Sequence, residues 1–409
     1  MASGTTAPHP LNWSSFLYAA GPVPAVSFST GPRRKSMSQG LRVALIYLGR
    51  RGMGNPLSFT MAQTLHKQGV PLLAVTSSFS EAASLWAKAP FSTLALPTYR
   101  HLSEMLLTTL QGQALRRIAE GVVAFQPDVL LFPMFHPWNL WLQRRFAHLP
   151  SVTVVHDPHP HPMFYDRLAA RLEHLSLRRA TRCVTLSNAM AQALAQRGIP
   201  AERIEIAPLE RLLAFPEARL PGPSFAPPTV LFFGRITRYK GVAYLLDAME
   251  RLWQRLPEAH LHLIGSGDLN PYSAWLQRYQ DDPRVQVRQT WVPEEEIPSV
   301  FRGASVVVLP YTSATQSGVA VLAASFGLPV VATTMGALPE QVEDGVSGWL
   351  VPPADAAALT AALFQALTQP EETQRRGHAL WKRLASPAAQ AEAVQAILQA
   401  LQRAMAAPG

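Results

Sequence analysis

Between Val306 and Pro353 the chain reads VVVLPYTSATQSGVAVLAASFGLPVVATTMGALPEQVEDGVSGWLVPP, and this stretch narrows the accessible folds more than any other. The run Val306-Val307-Val308-Leu309-Pro310 is apolar without alternation, the pattern of a parallel strand buried on both faces. A polar loop, Tyr311 to Gly318, leads into the apolar segment Val319 to Phe326, which closes at Gly327 before a second buried strand, Pro329 to Thr333. In such a strand–loop–helix–strand unit the loop lies at the carboxyl end of a strand and the amino end of a helix. Free N–H groups and the helix dipole favour a phosphate there. Thr315, Gln316 and Ser317 supply hydroxyl and amide groups, and Gly318 permits close backbone approach. An ordinary αβ connection with a polar turn has the same pattern.

The alternation fills the chain. Strand Leu41 to Leu48 runs into the glycine loop Gly49 to Asn55, then helix Pro56 to Gly69 and strand Val70 to Thr76. Helix Leu102 to Phe125, strands Val129 to Phe132 and Val152 to Val155, helix Leu168 to Arg179, strand Cys183 to Ser187 and a helix up to Gly198 follow. Prolines then cluster at 208, 216, 221, 223, 227 and 228, and the pattern restarts with strand Thr229 to Phe233. The expected fold class is α/β with two doubly wound domains. Expected boundaries are a flexible extension over 1–40, a first domain over 41–215, a linker over 216–228, a second domain over 229–385 and a final helix over 386–409. The 409 residues suffice for two cores.

Composition excludes several functions. A hydrophobic content of 48% with 15% charged residues describes a packed protein, not a disordered one. No apolar run reaches the roughly 18 to 20 residues that span a bilayer. The single cysteine, Cys183, cannot form an internal disulfide, which points to a reducing, cytoplasmic compartment and a packing role. Through residue 220 there are 22 Lys and Arg against 11 Asp and Glu, a net +11, whereas the remainder has 14 against 16, a net −2. A basic amino half attracts anionic partners, and peripheral contact with an anionic inner membrane face is one expectation; a solvated basic face is the other. Segment Trp138 to Leu149, with Arg144 and Arg145, suits either a membrane interface or core packing with an exposed arginine edge.

Candidate site residues gather where strands end. The loop holding Gly52 and Gly54 does not have the GxGxxG spacing, and no acidic residue stands at the required place about 20 residues on, so a dehydrogenase is disfavoured. His156-Asp157-Pro158-His159-Pro160-His161 follows a strand. Its prolines stiffen the run against convergence of three rings on one metal, so no metal site is expected, and His156 and Asp157 are read as polar groups at a strand tip. Arg235 and Lys240 stand at the two ends of a strand-to-helix loop, where a planar fork and a point charge can share one diphosphate. The turn Gly265-Ser266-Gly267-Asp268 ends the next strand. The acidic run Glu294-Glu295-Glu296 is read as a helix start.

Taken in order, FFGRITRYKGVAYLLDAMERL, LHLIGSGD, ASVVVLPY, SFGLPVVAT and GALPEQVEDGVSGWLVPPAD strongly resemble the carboxyl-terminal domain of the GT-B glycosyltransferases of family 4, also called group 1, from Val230 to Leu380. The amino half resembles it more weakly, through the glycine loop, the His-Asp after a strand, and ATRCVTLSNAM. The resemblance implies two facing Rossmann-like domains, with a nucleotide-diphospho-sugar held by the carboxyl domain and a saccharide or lipid-linked acceptor by the amino domain. It implies a final helix that returns to brace the amino domain, retention of anomeric configuration, and no cofactor or divalent ion.

By the same resemblance, Arg235 and Lys240 neutralise the departing diphosphate, and N–H groups near Ser317, Gly318 and Val319 cradle it. His156, with Asp157 beside it, meets the transferred sugar; Gly52 and Gly54 close over the donor, and Gly265 and Gly267 belong to the donor side. One departure is clear. The family's glutamate pair, one in the loop and one in the following helix, falls here at Ala314 and Leu322, and an SATQSG loop offers Thr315, Gln316 and Ser317 instead. Two alternatives to transfer remain: a catalytically silent nucleotide-sugar-binding protein, and a GT-B sugar-nucleotide epimerase. Nucleic acid is not an expected partner.

Overall fold

Continuous apolar runs need cover on both faces, and the chain supplies it by pairing them as parallel strands with helices outside. A computed structural model describes residues 40–50, 54–156, 164–214, 222–293, 296–314 and 316–407. Strands β1 (Val43–Tyr47), β2 (Leu72–Ser77), β3 (Ser92–Leu96), β4 (Val129–Phe132), β5 (Ser151–Val155), β6 (Arg182–Thr185) and β7 (Ile204–Ile206) form one sheet, ordered β3-β2-β1-β4-β5-β6-β7. Strands β8 (Thr229–Phe233), β9 (His260–Ile264), β10 (Val285–Arg288), β11 (Val306–Leu309), β12 (Val330–Thr333) and β13 (Gly348–Val351) form a second, ordered β10-β9-β8-β11-β12-β13. Every pairing is parallel, with Val43 opposite both Leu72 and Val129 in the first sheet, and Val307 opposite Val330 and Leu231 in the second.

The strand order reverses between β1 and β4 and again between β8 and β11. Connections leave such a point in opposite directions, opening a crevice at the carboxyl ends of the strands. The loops after β1, β4, β8 and β11 border these two crevices, where a ligand is expected.

Side chains alternate along each strand, so each sheet serves two cores. Val43, Leu45, Leu131 and Val152 pack on one face, while Ala44, Ile46, Leu130 and Phe132 pack on the other with Ile118, Trp138 and Leu142. The helix Pro387–Met405 belongs to the first of these cores through Ala393, Val394, Ile397, Leu398 and Leu401. The chain's end thus seals the amino-terminal domain, with Arg403 on Glu205 at 2.6 Å and Arg211 on Glu392 at 2.6 Å at its margins. Ile397 is fully buried, so Ile397→Ala should cost roughly 3 kcal/mol in urea unfolding through lost burial and the cavity left behind.

Several sequence expectations need correction. The single helix over Leu102 to Phe125 is two, Leu102–Gln111 and Gln113–Phe125, because Gly112 adopts a left-handed φ of 67° that no helix interior accepts. Strand β3 and helix Ala83–Ala87 were not expected; β3 is an edge strand with mostly exposed or half-buried residues and lacks a continuous apolar run. Edge strand β7 is too short to announce itself. Of the linker over 216–228, residues 216–221 lie outside the described residues, and Ser224 is tied to the second domain by its N–H on the Ala304 carbonyl at 2.9 Å. Trp138, Leu142 and Phe146 are buried and Trp138 donates to Thr109 Oγ1 at 2.7 Å, so that helix is core with an arginine edge. Of the acidic run, only Glu296 is described; it precedes helix Ile297–Arg302 and pairs with Arg288 at 2.5 Å. Cys183 is buried as expected, and burial raises its thiol pKa to about 12. Among the described residues no helix is long and apolar enough to cross a membrane.

Candidate active site

The carboxyl ends of β8 and β11 are laced together. Gly241, at a left-handed φ of 71°, lies so close to β11 that a Cβ would sit 1.7 Å from the Pro310 carbonyl oxygen. Thr312 N–H donates to the Tyr239 carbonyl at 2.8 Å. The Arg235 to Lys240 loop and the Tyr311 to Gly318 loop therefore form one surface over the second switch point. Gly265 and Gly267 have a packing role beneath it. Any Cβ there would strike the carbonyl oxygens of Gly234 and Ile236, and their absence lets the ladder continue as Gly234 N–H to Ile264 O at 3.0 Å and Ile236 N–H to Ser266 O at 2.7 Å.

Lys240 is not the exposed loop lysine that its sequence context suggests. Its ammonium is half-buried over the Tyr311 ring, 3.5 Å from the centroid, and burial together with the Arg235 charge lowers its pKa to about 8. A cation stripped of water but left over a ring face gains strongly when an anion arrives. Arg235 is exposed beside it.

The Tyr311 to Gly318 loop is held from beneath. Tyr311 is buried, its carbonyl accepts from Thr333 Oγ1 at 2.6 Å, and its hydroxyl shares a 3.2 Å hydrogen bond with Ser317 Oγ. The Gln341 side chain brackets the Ser317 backbone: Ser317 N–H donates to Oε1 at 2.9 Å, and Nε2 donates to the Ser317 carbonyl at 3.2 Å. Ser317 is thus 2% exposed with both N–H and hydroxyl engaged, which corrects its expected role as a donor contact. The first-turn N–H groups of Gly318 and Val319 open the helix Gly318–Ser325, and a Cβ on Gly318 would meet nothing within 4 Å. Among the described residues Gln316 Oε1 and Thr237 Oγ1 are buried without a partner, one on each loop, and buried acceptors of this kind ordinarily find a donor. Ala314 and Leu322 pack against the core beneath, so the family's glutamate places are apolar here.

On the amino-terminal side, His156 directly follows β5 and its Nε2 lies 2.7 Å from the Pro133 carbonyl. A carbonyl only accepts, so Nε2 carries the hydrogen and Nδ1 is left as an acceptor. Burial lowers the His156 pKa, which keeps the ring neutral. Gly54 opens helix Gly54–Lys67 where a Cβ would lie 2.6 Å from the Met134 methyl group and 3.0 Å from the Tyr47 hydroxyl. Gly52, Asp157 and Thr315 lie outside the described residues. The two domains meet at Glu340, whose carboxylate accepts from Asn188 N–H at 2.7 Å and Ala189 N–H at 2.6 Å. Sequence reading singled out neither Glu340 nor Gln341; both lie in the GALPEQVEDG segment that carried the resemblance.

With this geometry in place, the similarity to known proteins becomes decisive. Residues 38–210 match the model described as "Glycosyl transferase 4-like domain", and residues 227–369 match "Glycosyl transferases group 1". The chain belongs to the group 1 glycosyl transferases. Its relatives include the GDP-mannose-dependent alpha-(1-6)-phosphatidylinositol monomannoside mannosyltransferase of Mycolicibacterium smegmatis, 32% identical over 37% of this chain and 41% of that protein. The amylovoran biosynthesis glycosyltransferase AmsK of Erwinia amylovora is 29% identical over 53% of each. The chain thus aligns with about half or less of these group 1 relatives. As a fold, the chain resembles Anabaena Alr3699/HepE, solved with UDP and glucose, at a TM-score of 0.64 and 20% identity over 89% of this chain and 98% of that one. Sucrose-phosphate synthase of Thermosynechococcus elongatus gives a TM-score of 0.67 at 19% identity, covering 90% and 100%. The architecture is GT-B.

Proposed function

We propose that this protein transfers a sugar from a nucleotide-diphospho-sugar to a saccharide or lipid-linked acceptor, with retention at the anomeric carbon and without a divalent ion. The observation that carries the reading is the desolvated Lys240 ammonium beside Arg235, on the loop laced to the start of helix Gly318–Ser325. Breaking the sugar–phosphate bond places negative charge on the leaving diphosphate. Two preorganised cations and the N–H groups of Gly318 and Val319 stabilise that charge as it forms. The orphaned Gln316 Oε1 suits a ligand hydroxyl, and neutral His156, with Nδ1 as acceptor, suits a sugar hydroxyl across the cleft. The mycobacterial relative uses GDP-mannose and the Anabaena structure holds UDP, so both bases belong in the test.

That test is nucleotide release from a panel of UDP-, GDP-, ADP- and dTDP-sugars in EDTA, with and without lipid and saccharide acceptor fractions. Acceptor-dependent release supports transfer. The apolar Ala314 and Leu322 favour a second reading, a nucleotide-sugar-binding protein without turnover, which tight nucleotide binding with no release under any condition would establish.

The partner side extends to a membrane. One outer layer of the amino-terminal domain exposes Leu106, Leu107 and Leu110 at 60–75%, together with Val123, Leu168 and Leu175. Exposed Arg116, Arg117, Arg144, Arg145, Arg171 and Arg178 stand among them, and a groove runs between Val123 and Trp141 with Arg116 and Arg145 on its rim. Apolar side chains ringed by guanidinium groups fit an anionic lipid surface, here the cytoplasmic face of a membrane. Co-sedimentation with phosphatidylglycerol vesicles should weaken as salt rises and fall at least tenfold in the Leu106→Asp/Leu107→Asp variant; unchanged sedimentation of that variant would remove this face from consideration.

A further inference from the structure

The single helical turn Leu338–Gln341 carries two adjacent side chains that reach into different domains. Glu340 reaches the amino-terminal domain, where its carboxylate takes Asn188 N–H, Ala189 N–H and Asn188 Nδ2 at 2.6–2.9 Å. These groups open helix Asn188–Gln196, whose dipole end and free donors favour a negative charge, so the contact is charge-assisted as well as geometric. Gln341, 4% exposed, reaches back into its own domain and brackets Ser317, the residue directly before Gly318. Arg383 anchors the turn from behind through two bonds to the Glu340 carbonyl. The backbone of the turn is therefore fixed, and the contacts to the other domain and to the loop run through side chains one residue apart.

We infer that Glu340 and Gln341 are a pair of positioning residues that make the phosphate-facing geometry of Gly318 and Val319 depend on the seating of the two domains against each other. The inference rests on the donor reading of that loop. With Glu340 seated on helix Asn188–Gln196, the turn is held at both ends and Gln341 has one orientation for the Ser317 backbone. When the domains part, Glu340 loses three donors at once, the turn keeps only its own-domain anchors, buried Leu338 and the Arg383 bonds, and the Gln341 bracket loosens. The Gly318 and Val319 N–H groups then leave the line along which Lys240 and Arg235 meet the diphosphate. Donor binding and domain closure favour each other, as two events sharing one element must.

Hydrogen–deuterium exchange on the free protein tests this without any donor. Glu340→Gln keeps the size of the side chain but removes its charge and one acceptor; Glu340→Asp draws the carboxylate back by one methylene and serves if the first variant folds poorly. Either should raise exchange at Asn188 and Ala189 and, about tenfold, at Ser317, with the loss of protection confined to these segments. Gln341→Met should raise exchange at Ser317 and leave Asn188 and Ala189 protected. In turnover, each single variant should raise the donor KM about tenfold, the scale of a lost charge-assisted or paired hydrogen bond, with the acceptor KM unmoved. The Glu340→Gln/Gln341→Met double variant should match Gln341→Met, because the two residues act in series. Ser317 protection that ignores Glu340, or donor KM effects that multiply in the double variant, would overturn the coupling. Absence of turnover in the parent protein would count against the transfer reading and leave the exchange result to decide the coupling.

Discussion

Lys240→Ala should lower sugar transfer by roughly 10²- to 10³-fold, the cost of removing one preorganised charge from a developing oxyanion, with no matching loss of fold. The ammonium is already half-desolvated over the Tyr311 ring, so its charge is held against a solvation penalty that a bound diphosphate offsets. Burial and Arg235 lower its pKa to about 8 from an ordinary 10.5. The protonated form is the working one, so kcat/KM for the donor in the wild-type protein, which reports the free protein's groups, should fall as pH rises through about 8. The stability sign is opposite. Between the lowered folded value and the unfolded one the unfolded chain holds more protons, so this group adds to stability as pH climbs through that window. Lys240→Met should therefore unfold at no lower urea concentration than wild type at pH 7. The measurement is kcat/KM for the donor against pH for wild type, Lys240→Ala and Lys240→Arg. Lys240→Arg, charged throughout, should flatten the alkaline fall, and a Lys240→Ala variant that keeps both the rate and the fall would exclude this residue from the chemistry.

Much of this arrangement is legible in the sequence because it is local. Val306 to Leu309 and Val330 to Thr333 announce buried parallel strands, and a loop between such a strand and a helix has only one end of the sheet to occupy. Arg235 and Lys240 are placed by that rule alone. What sequence cannot show is which side chains meet across long separations. Gln341 brackets Ser317 from 24 residues away, and Glu340 reaches Asn188 across 152. Neither distance leaves a periodic trace. The same limit hid the environment of Lys240, since the ring beneath it comes from Tyr311 on another loop. Ser317 is instructive in a different way. A serine before a helix reads as a ligand contact, yet here its backbone and hydroxyl are spent on holding the loop, and the proposed phosphate contact moves to the N–H groups of Gly318 and Val319. Gly54, Gly265 and Gly267 teach the same caution: close packing against Met134, Gly234 and Ile236 accounts for them without a ligand.

Glu210→Gln should stabilise the protein by roughly 3 kcal/mol at pH 8, since each tenfold change in proton affinity on folding is worth about 1.4 kcal/mol, and by much less near pH 5. Glu210 lies 5% exposed on the turn Leu209–Leu213, in the segment that leads from the first domain to the second. Its Oε2 has no partner among the described residues, and the neighbouring Arg211 spends its guanidinium on Glu392 at 2.6 Å. Burial is the first cause that raises its pKa to about 7, opposed by a backbone hydrogen bond and the Arg211 charge, reinforced by Glu340, and eased by a hydrogen bond from Gln341. A carboxyl group whose folded pKa is raised binds its proton more tightly folded than unfolded. Its favourable contribution is complete below the ordinary value of 4.5 and is lost as pH rises through about 7. Glutamine cannot ionise, so the gain over wild type should grow between those two values and level off above the upper one. Urea unfolding of both proteins from pH 5 to 8.5 measures the difference directly, and other titrating groups cancel in the comparison. Parallel curves across that range would mean that Glu210 ionises as it does in water. A gain that opens with pH would show a strained carboxylate held one hydrogen bond from Gln341, the residue that sets the loop before Gly318.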